Sequence, residues 1–537
     1  MSAKFDFEEE QYELSRETTG DSSLEICTSN DEAEDGPSSH LLSGRNTPAE
    51  SQASYWQYFT SLIPRRYRRT PNSPRRRTRR SKIKPHRTCS PRSLLRKSAL
   101  FAYVFLSAVT AIVIFESVFY PSYTHRPKHY QELRSRVYSS VEDGRGNPHN
   151  EKVFIAASIY DEDGKLAGGR WAKNVLDLIY LLGPDNTYLS IYENDGGMEA
   201  KNALTMLKQK VPCNHTLTFE DHLPLDEVPH ITLPDGARRV KRIAYLAAVR
   251  NKALKPLEEA PIKYDKLLYL NDIFFNPVDI VQLLFSTNAD KTTGKANYRA
   301  ACAVDFINPF KFYDTFATRD SEGYRMGVIF FPWFSPGGEA KSRQQVLDGT
   351  DAVQVKSCWG GITAFDAKYF QPSDTIYETA GSEGPLNITN PVRFRAENDI
   401  YWDASECCLI HADIQSTDPH NTGIYMNPFI RVAYGTKTLS WLGFTRRFER
   451  LYSPIQFLID VVVGNPSFNE RQHEHAWEQT EETIWVSDPS SPAGGSFEHV
   501  PRLATHAGFC GRRKLPVMKI HRKPGERPWE FLPIPTQ

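Results

Sequence analysis

An uncharged run of 17 residues, Ala99–Phe115, constrains the topology of this chain more than any other feature. Apolar residues resume after Glu116 and Ser117 and continue to Tyr120. About 20 residues at ~1.5 Å per residue cross the hydrocarbon core of a bilayer, so the run predicts one transmembrane signal-anchor helix over 99–120, with membrane lipid as its partner. A buried core helix is the alternative, but no other apolar segment adjoins the run in sequence.

The charge on either side of this run predicts its orientation. Between Arg65 and Lys97 there are 15 Lys and Arg residues, against five from Pro121 to Asn150. The positive-inside rule therefore predicts a cytosolic N-terminus. Residues 1–98, acidic at first and then basic, hold few large apolar residues and are predicted to be a disordered tail. The basic run leads directly into the membrane segment, so we expect it to set topology or attract anionic lipid, and we expect no nucleic acid partner.

Two further features agree with a lumenal C-terminal part. The sequons Asn214-His-Thr216 and Asn387-Ile-Thr389 both follow the membrane run. Six of the eight cysteines also follow it, on the side where disulfides persist. Six cysteines can pair in many ways, and the sequence does not choose among them. We expect a lumenal stem over 121–150, one catalytic domain over 151–511 and a C-terminal tail over 512–537.

The predicted lumenal domain alternates apolar runs with helical patterns. The runs 153–159, 187–192 and 266–270 have the continuous apolar character of strands buried on both faces, and 407–410 is interpreted as another strand. Helical patterns, among them 238–257, lie between them. Such alternation predicts a parallel, Rossmann-like α/β sheet in a three-layer domain.

In open α/β sheets, ligands bind beyond the carboxyl ends of the strands. Polar residues that follow the predicted strands are therefore the candidate site residues. They are Ser158, Tyr160, Asp161, Glu193–Asp195, Asn271, Asp272 and Asp305.

Asn271 and Asp272 form a short polar pair that follows four apolar residues. A carboxylate at this position can hold Mg²⁺ or Mn²⁺, which would stabilise a departing diphosphate. An Asn-Asp pair at a strand end is also ordinary turn chemistry. Local sequence leaves both interpretations open.

Four other groups of residues each have a functional and a structural interpretation. Arg250-Asn251 could bind a phosphate through the forked guanidinium group, or it could belong to a solvated basic face. Trp359, before two glycines, suits sugar stacking or a packed turn. Asp399, in a charged segment, could serve as an acid, a base or a metal ligand, or lie in a solvated loop. His411 and Asp413 could complete a metal site with Asp272, although a lone histidine is often structural.

Five ordered blocks resemble the fungal cryptococcal-type α-1,3-mannosyltransferases, the capsule-associated mannosyltransferase family. The blocks are Arg242–Leu254, Leu267–Ile273, Ala300–Phe306, Ser357–Gly361 and Ser405–Leu409. The resemblance implies a GT-A fold anchored in the Golgi membrane, GDP-mannose as donor, a divalent cation, and retention of anomeric configuration.

Matched block by block, the resemblance implies that Asp272 binds the metal, that Asp305 contacts the sugar or acceptor, and that Arg250 and Asn251 contact the donor. The Asp-x-Asp common to GT-A enzymes is here Leu270-Asn271-Asp272, which leaves open whether Asn271 shares the coordination. We therefore expect a type II Golgi glycosyltransferase that moves mannose from GDP-mannose to a glycan acceptor with Mn²⁺ or Mg²⁺. The alternative is a non-catalytic, sugar-binding scaffold in polysaccharide assembly or export.

Overall fold

The computed structural model describes residues 91–233, 235–372, 391–416, 422–488, 490–491, 495–521 and 528–534. Most of the predicted tail over 1–98, and the sequon at Asn387, lie outside these ranges. From Ile112 onward, the described residues belong to one compact unit.

The helices follow the chain in this order: α1 (Pro91–Phe119), α2 (Lys128–Ser139), α3 (Arg170–Leu182), α4 (Gly197–Lys208), α5 (Arg242–Glu258), α6 (Pro277–Ser286), α7 (Lys341–Asp348), α8 (Glu406–Gln415), α9 (Thr436–Thr445) and α10 (Ser453–Val463).

The strands are β1 (Val153–Ile159), β2 (Thr187–Asn194), β3 (Asn214–Glu220), β4 (His230–Thr232), β5 (Arg238–Val240), β6 (Lys266–Leu270), β7 (Ala300–Asn308), β8 (Lys311–Phe312), β9 (Arg319–Asp320), β10 (Val353–Ser357), β11 (Ile362–Asp366), β12 (Trp402–Ala404), β13 (Ile424–Ala433), β14 (Gln479–Ser487), β15 (Gly495–Leu503), β16 (Gly511–Arg513), β17 (Pro516–Met518) and β18 (Trp529–Phe531).

Helix α1 contains the predicted membrane run. Within Leu95–Phe119, an 18-residue window has a mean hydropathy of 2.3, and none of that window is buried. By length and composition this segment can cross a membrane, and its topology stays a prediction. The stem predicted over 121–150 contains a folded element, because α2 buries Tyr130, Leu133 and Val137.

A ten-stranded mixed sheet forms the core, in the order β3-β2-β1-β6-β11-β7-β13-β10-β9 with β8 beside β7. The four strands β3, β2, β1 and β6 are parallel, but β11 is antiparallel to both of its neighbours. The α/β prediction is confirmed, whereas the expectation of a parallel sheet is wrong where β11 and β10 run antiparallel to their neighbours. Strands β7 and β13 pair in parallel. An apolar run shows that a strand is buried and does not encode its direction.

Helices cover both faces of the sheet. The crossovers through α3 and α4 move from β1 toward β3, and the crossover through α5 returns from β3 to β6. Because such connections are right-handed, α5 lies on the face opposite to α3. Helix α8 packs on the same face of the sheet as α5. On this face, the Ser190 hydroxyl of β2 donates to the Ala253 carbonyl of α5. The His411 ring of α8 lies 5.4 Å from the Phe365 ring of β11.

Three segments differ from their sequence interpretation. Helix α5 begins at Arg242 because residues 238–240 pair with β4. Residues 407–410 lie in α8 and not in a strand; all ten residues of α8 are buried, so the helix shows no amphipathic pattern. The predicted tail over 512–537 contributes β16, which pairs with β12, and the β17–β18 hairpin.

Among the described residues, two disulfides connect elements of the domain. They join Cys302 to Cys358 and Cys408 to Cys510, with Cα atoms 6.0 and 5.7 Å apart.

Candidate functional site

Asp272 and Asp305 reach the same edge of the sheet. Tyr269 of β6 and Cys302 of β7 both face Thr363 of the intervening strand β11. Each aspartate follows its matched residue by three positions. Asp272 follows the end of β6 and Asp305 lies in the C-terminal half of β7, so both are near the carboxyl edge of these strands. This is the edge at which the sequence predicted the ligand site.

Tyr434 and Asp314 complete this group. The Tyr434 hydroxyl donates to Asp305 Oδ2 at 3.2 Å, and the Asp314 amide donates to Asp305 Oδ1 at 3.1 Å. Burial, followed by the negative charges of Asp305 and Asp272, raises the pKa of Tyr434. We call Asp272, Asp305, Asp314 and Tyr434 the acidic edge.

Two carboxylates of the acidic edge are buried. Burial and the charge of Asp314 raise the pKa of Asp305, and burial raises the pKa of Asp314. Asp272 is only partly buried, so its carboxylate can meet a ligand from solvent. Carboxylate oxygens are the ligands that Mg²⁺ and Mn²⁺ prefer, and a cation would relieve the repulsion among these groups.

Asp314 fixes the turn at Trp359. Its Oδ2 accepts hydrogen bonds from the Trp359 amide and from the Thr318 hydroxyl, both at 2.9 Å. The turn continues through Gly360, whose φ is +56° and where a Cβ would lie 1.9 Å from the Ala303 carbonyl oxygen. Only glycine fits this approach of backbone to β7.

Four hydrogen bonds hold Asn271. Its side-chain oxygen accepts from Trp359 Nε1 at 3.1 Å and from Arg250 Nη1 at 3.4 Å, and its carbonyl accepts from Trp171 Nε1 at 2.9 Å. Its amide donates to the Gly361 carbonyl at 2.9 Å. These bonds fix the backbone that presents Asp272.

Arg250 lies beneath the acidic edge, in contrast to the donor contact that was predicted. Its side chain is fully buried, pairs with Glu406 at 3.0 Å and stacks with its guanidinium 4.4 Å from the Trp359 ring centre. Asn251 bonds the Phe394 backbone through both its amide and its carbonyl groups. Since these partners belong to the core, Arg250 and Asn251 are positioning residues in this structure.

Trp359 likewise offers no exposed ring on which a sugar could stack. Only 1% of it is exposed, and its ring packs 5.4 Å from that of Tyr269. Its flexible neighbours allow the ring to fold inward, where the indole N–H finds Asn271 as its acceptor.

His411 and Asp413 are not brought to Asp272. His411 Nδ1–H donates to the Cys407 carbonyl, 2.7 Å away. The ring lies near Cys302, about 10 Å below Asp272 at ~3.3 Å per strand residue. Burial lowers the pKa of His411 to about 4. Asp413 is committed to Arg395 and His506, and Arg395 lowers its pKa against the opposing effect of burial. In the described part of the chain, His411 and Asp413 therefore do not share a ligand group with Asp272.

Among the described residues, one group has the close ligand spacing of a metal site: Cys302, Cys358 and His411. The two cysteines are joined in a disulfide and offer no thiolates. Asp399, predicted to be catalytic, forms an ion pair with Arg471 at 2.6 Å, in a separate cluster of charges with Glu482.

The ends of β1 and β2 carry the remaining candidates. Ser158 is buried and accepts from the Tyr269 hydroxyl at 3.1 Å, and Tyr160 donates to Glu162 at 3.2 Å. The Asp161 carboxylate accepts from two amides of the following loop. Glu193 is buried next to this loop, and desolvation raises its pKa to about 7.

Sequence reasoning missed Asp314 and Tyr434. Tyr434 directly follows the apolar strand β13, so the rule that selected Asp272 and Asp305 would have selected it too. Asp314 follows no long apolar run, and its role depends on contacts with Trp359 and Asp305 that are distant in sequence.

Comparison with known proteins identifies the family. Residues 152–413 match the family model described as Cryptococcal mannosyltransferase 1. No sequence among the curated proteins matches.

Two solved structures are similar in part. One is the mannosyltransferase PcManGT from Pyrobaculum calidifontis in complex with GDP-Man and Mn²⁺. It is 11% identical in sequence, the match covers 67% of this chain and 86% of that chain, and the TM-score is 0.29. The other is mannosyl-3-phosphoglycerate synthase from Rubrobacter xylanophilus: 12% identity, 71% and 98% covered, TM-score 0.25. The family match spans β1, β2, β6, β7 and the turn at Trp359, and the resemblance predicted from the sequence is confirmed. Residues 152–413 of this chain thus form a segment that matches the cryptococcal mannosyltransferase family.

Proposed function

We propose that this chain is a metal-dependent glycosyltransferase that moves mannose from GDP-mannose to a glycan acceptor with retention of configuration. The observation that carries the proposal is the convergence of Asp272 and Asp305 at the carboxyl edge of the sheet, inside the segment that matches the mannosyltransferase family. The family supports mannosyl transfer, and the edge supplies the oxygen ligands that the reaction requires.

Asp272 is the residue that would hold the cation. It is the partly exposed carboxylate of the acidic edge, and oxygen ligands of this kind suit Mn²⁺ or Mg²⁺. When bound, such a cation neutralises charge on the departing diphosphate. Asn271 and Arg250 contribute indirectly, because their hydrogen bond holds the backbone on which Asp272 stands.

Asp305, which is buried, would orient Tyr434 beside Asp272, and the Tyr434 hydroxyl would bind sugar or acceptor hydroxyls. The hydrogen bond between the two side chains holds the Tyr434 hydroxyl in place before a ligand binds. In a retaining transfer on the donor's front face, the departing phosphate takes the acceptor proton. The acidic edge, which holds no strongly basic side chain, is compatible with that route.

The nucleoside would occupy the edge formed by β1 and β2, next to the acidic edge. The loop after β1 is shaped by Asp161, and Asp195 is fixed by the Tyr245 hydroxyl at 2.8 Å. Topology and location complete the proposal: α1 anchors the chain as a type II protein, and the catalytic domain lies in the Golgi lumen, where the disulfides persist.

A donor assay tests this function. The purified full-length protein, incubated with Mn²⁺ and a panel of nucleotide sugars, should release GDP from GDP-mannose in preference to the other donors. Asp272→Asn keeps size and turn propensity but removes the charge, and should lower turnover at least about a hundredfold because each ~1.36 kcal/mol of lost stabilisation is about tenfold in rate.

Asp221→Asn, at an exposed loop position, is the matched control and should leave turnover unchanged. A non-catalytic scaffold would bind GDP-mannose without releasing GDP above background. Near wild-type transfer by a folded Asp272→Asn protein would remove the metal role of Asp272.

A further inference from the structure

Helix α10 has an inverted amphipathic pattern. Its buried residues are the polar Gln456 and Asp460, whereas its exposed residues are apolar. Leu458 is 63% exposed and Val462 84%. The exposed apolar residues of α10 are Ile455, Phe457, Leu458, Ile459, Val461, Val462 and Val463.

The two polar residues fix this orientation. Gln456 accepts from Arg343 Nη1 and donates to the Val328 carbonyl, and Asp460 Oδ1 accepts from the Val328 amide at 2.7 Å. Rotating α10 to bury its apolar face would take these acceptors away from Arg343 Nη1 and from the Val328 amide. The fold therefore directs the apolar face outward.

Helix α9 adds to this exposed apolar area. Trp441 and Phe444 are about half exposed, and their rings pack together at 5.8 Å. Seven residues, 446–452, separate α9 from α10. We call the exposed apolar residues of these two helices the α9–α10 surface. Soluble proteins seldom leave so many large apolar side chains together in water, and such patches mark contact sites.

The α9–α10 surface begins where the candidate membrane span ends. The span ends at Phe119, and three residues later the Ser122 amide donates to the Arg446 carbonyl at 3.3 Å. Arg446 Nη1 in turn donates to the Tyr123 carbonyl at 3.1 Å. The segment that leaves the span is thus bound to the residue that follows α9.

We propose that the α9–α10 surface lies in the interface of the bilayer that α1 crosses, so that the domain is held against lipid by a second, monotopic contact. This inference rests on the anchor topology given under the proposed function. Helix α10 has 11 residues and is about 17 Å long at ~1.5 Å per residue, against a hydrocarbon core of ~30 Å. It is too short to span, and it lies in the plane of the membrane.

Charge at the margin of the surface fits an interfacial position. Lys437 and Arg447 are exposed at the two ends of α9, where they would meet lipid phosphates. Helix α9 also starts two residues after Tyr434. Because α9 is about 15 Å long, the contact places the acidic edge within about 15–20 Å of the headgroups. This position favours acceptors held at the membrane surface.

Photocrosslinking of the full chain tests this contact. The protein is reconstituted in vesicles of phosphatidylcholine and phosphatidylinositol, with benzoylphenylalanine in place of Leu458, and lipid adducts are measured by mass spectrometry after irradiation. The matched control has the same probe at Met198 of α4, which is 66% exposed. A third variant has it at Leu106, within α1, to report the anchor.

We expect at least about tenfold more lipid adduct at Leu458 than at Met198, as for a face immersed in the interface. Equal yields at the two positions would overturn the proposal, and so would crosslinks from Leu458 to a second copy of the chain. An absence of lipid adduct at Leu106 would remove the anchor on which the proposal rests. If GDP release continues while Leu458 forms no lipid adduct, the membrane contact fails and the mannosyltransferase proposal stands.

Discussion

At the scale of single residues, the structure changes the role expected for Arg250. Its guanidinium is buried between Glu406, Asn271 and the Trp359 ring. Arg250→Met leaves the Glu406 carboxylate buried without its cation, and should lower the free energy of unfolding by about 3–5 kcal/mol. Arg250→Met combined with Glu406→Leu removes both charges and should recover most of that loss.

Denaturant unfolding of the single and double variants measures this difference. The contrary result would be an Arg250→Met protein that keeps wild-type stability while its affinity for GDP-mannose falls. Arg250 would then contact the donor directly, as the family resemblance implied.

The buried carboxylate of Glu193 should make stability depend on pH. Desolvation raises its pKa from 4.5 to about 7, so the folded state holds the proton more tightly than the unfolded state. The stabilising effect of that proton is present below about pH 4.5 and is lost as the pH rises through 7. Glu193→Gln cannot ionise. Between pH 4.5 and 8 its free energy of unfolding should therefore rise by about 2–3 kcal/mol relative to that of the wild type.

Unfolding midpoints of both proteins at pH 5 and pH 8 check this prediction. Glu199→Gln, at an exposed position in the first turn of α4, is the control and should shift both midpoints by the same small amount. A constant difference between Glu193→Gln and wild type at the two pH values would contradict the assignment.

At the scale of elements, the turn between β10 and β11 connects the parts of the site. It carries the Cys358 disulfide to β7, the Trp359 bond to Asn271 and the glycine that approaches Ala303. Gly360→Ala places a Cβ 1.9 Å from a backbone oxygen, so the turn must shift and release Asn271. We expect GDP release to fall at least about tenfold and stability to fall by more than the ~1 kcal/mol that positive φ alone costs alanine.

Gly349→Ala separates backbone strain from steric conflict. Its φ of +77° also lies in the left-handed region, but a Cβ there meets nothing within 4 Å. We expect this variant to lose about 1 kcal/mol of stability and no activity. Similar losses of activity in both variants would show that the close approach at Gly360 is unimportant.

At the scale of the whole molecule, orientation can be measured directly. The basic block before α1 predicts that the tail faces the cytosol and the domain the lumen. Protease added to sealed microsomes should therefore remove about the first 98 residues and spare the remainder, since only the cytosolic side of a sealed vesicle is accessible. Recovery of a protected N-terminus with a digested domain would reverse the topology.

The sequence by itself determined where the core strands lie and which edge of the sheet carries polar groups. Apolar runs at β1, β2 and β6 are local patterns, and residues such as Asp272 follow them directly in the chain. The family resemblance could also be identified from the sequence, because ordered blocks of residues can be recognised without knowledge of their contacts.

Only the tertiary structure decided which partner each side chain meets. The antiparallel direction of β11, the burial of Arg250, the pairing of Asp305 with Tyr434, and the outward face of α10 all depend on residues far apart in the chain. A local pattern reports whether a residue is apolar or charged. Whether a charge meets a ligand or a buried counter-ion is settled by long-range packing, and that is why Arg250 and His411 have core partners in the structure while Asp272 and Asp305 lie at the predicted edge.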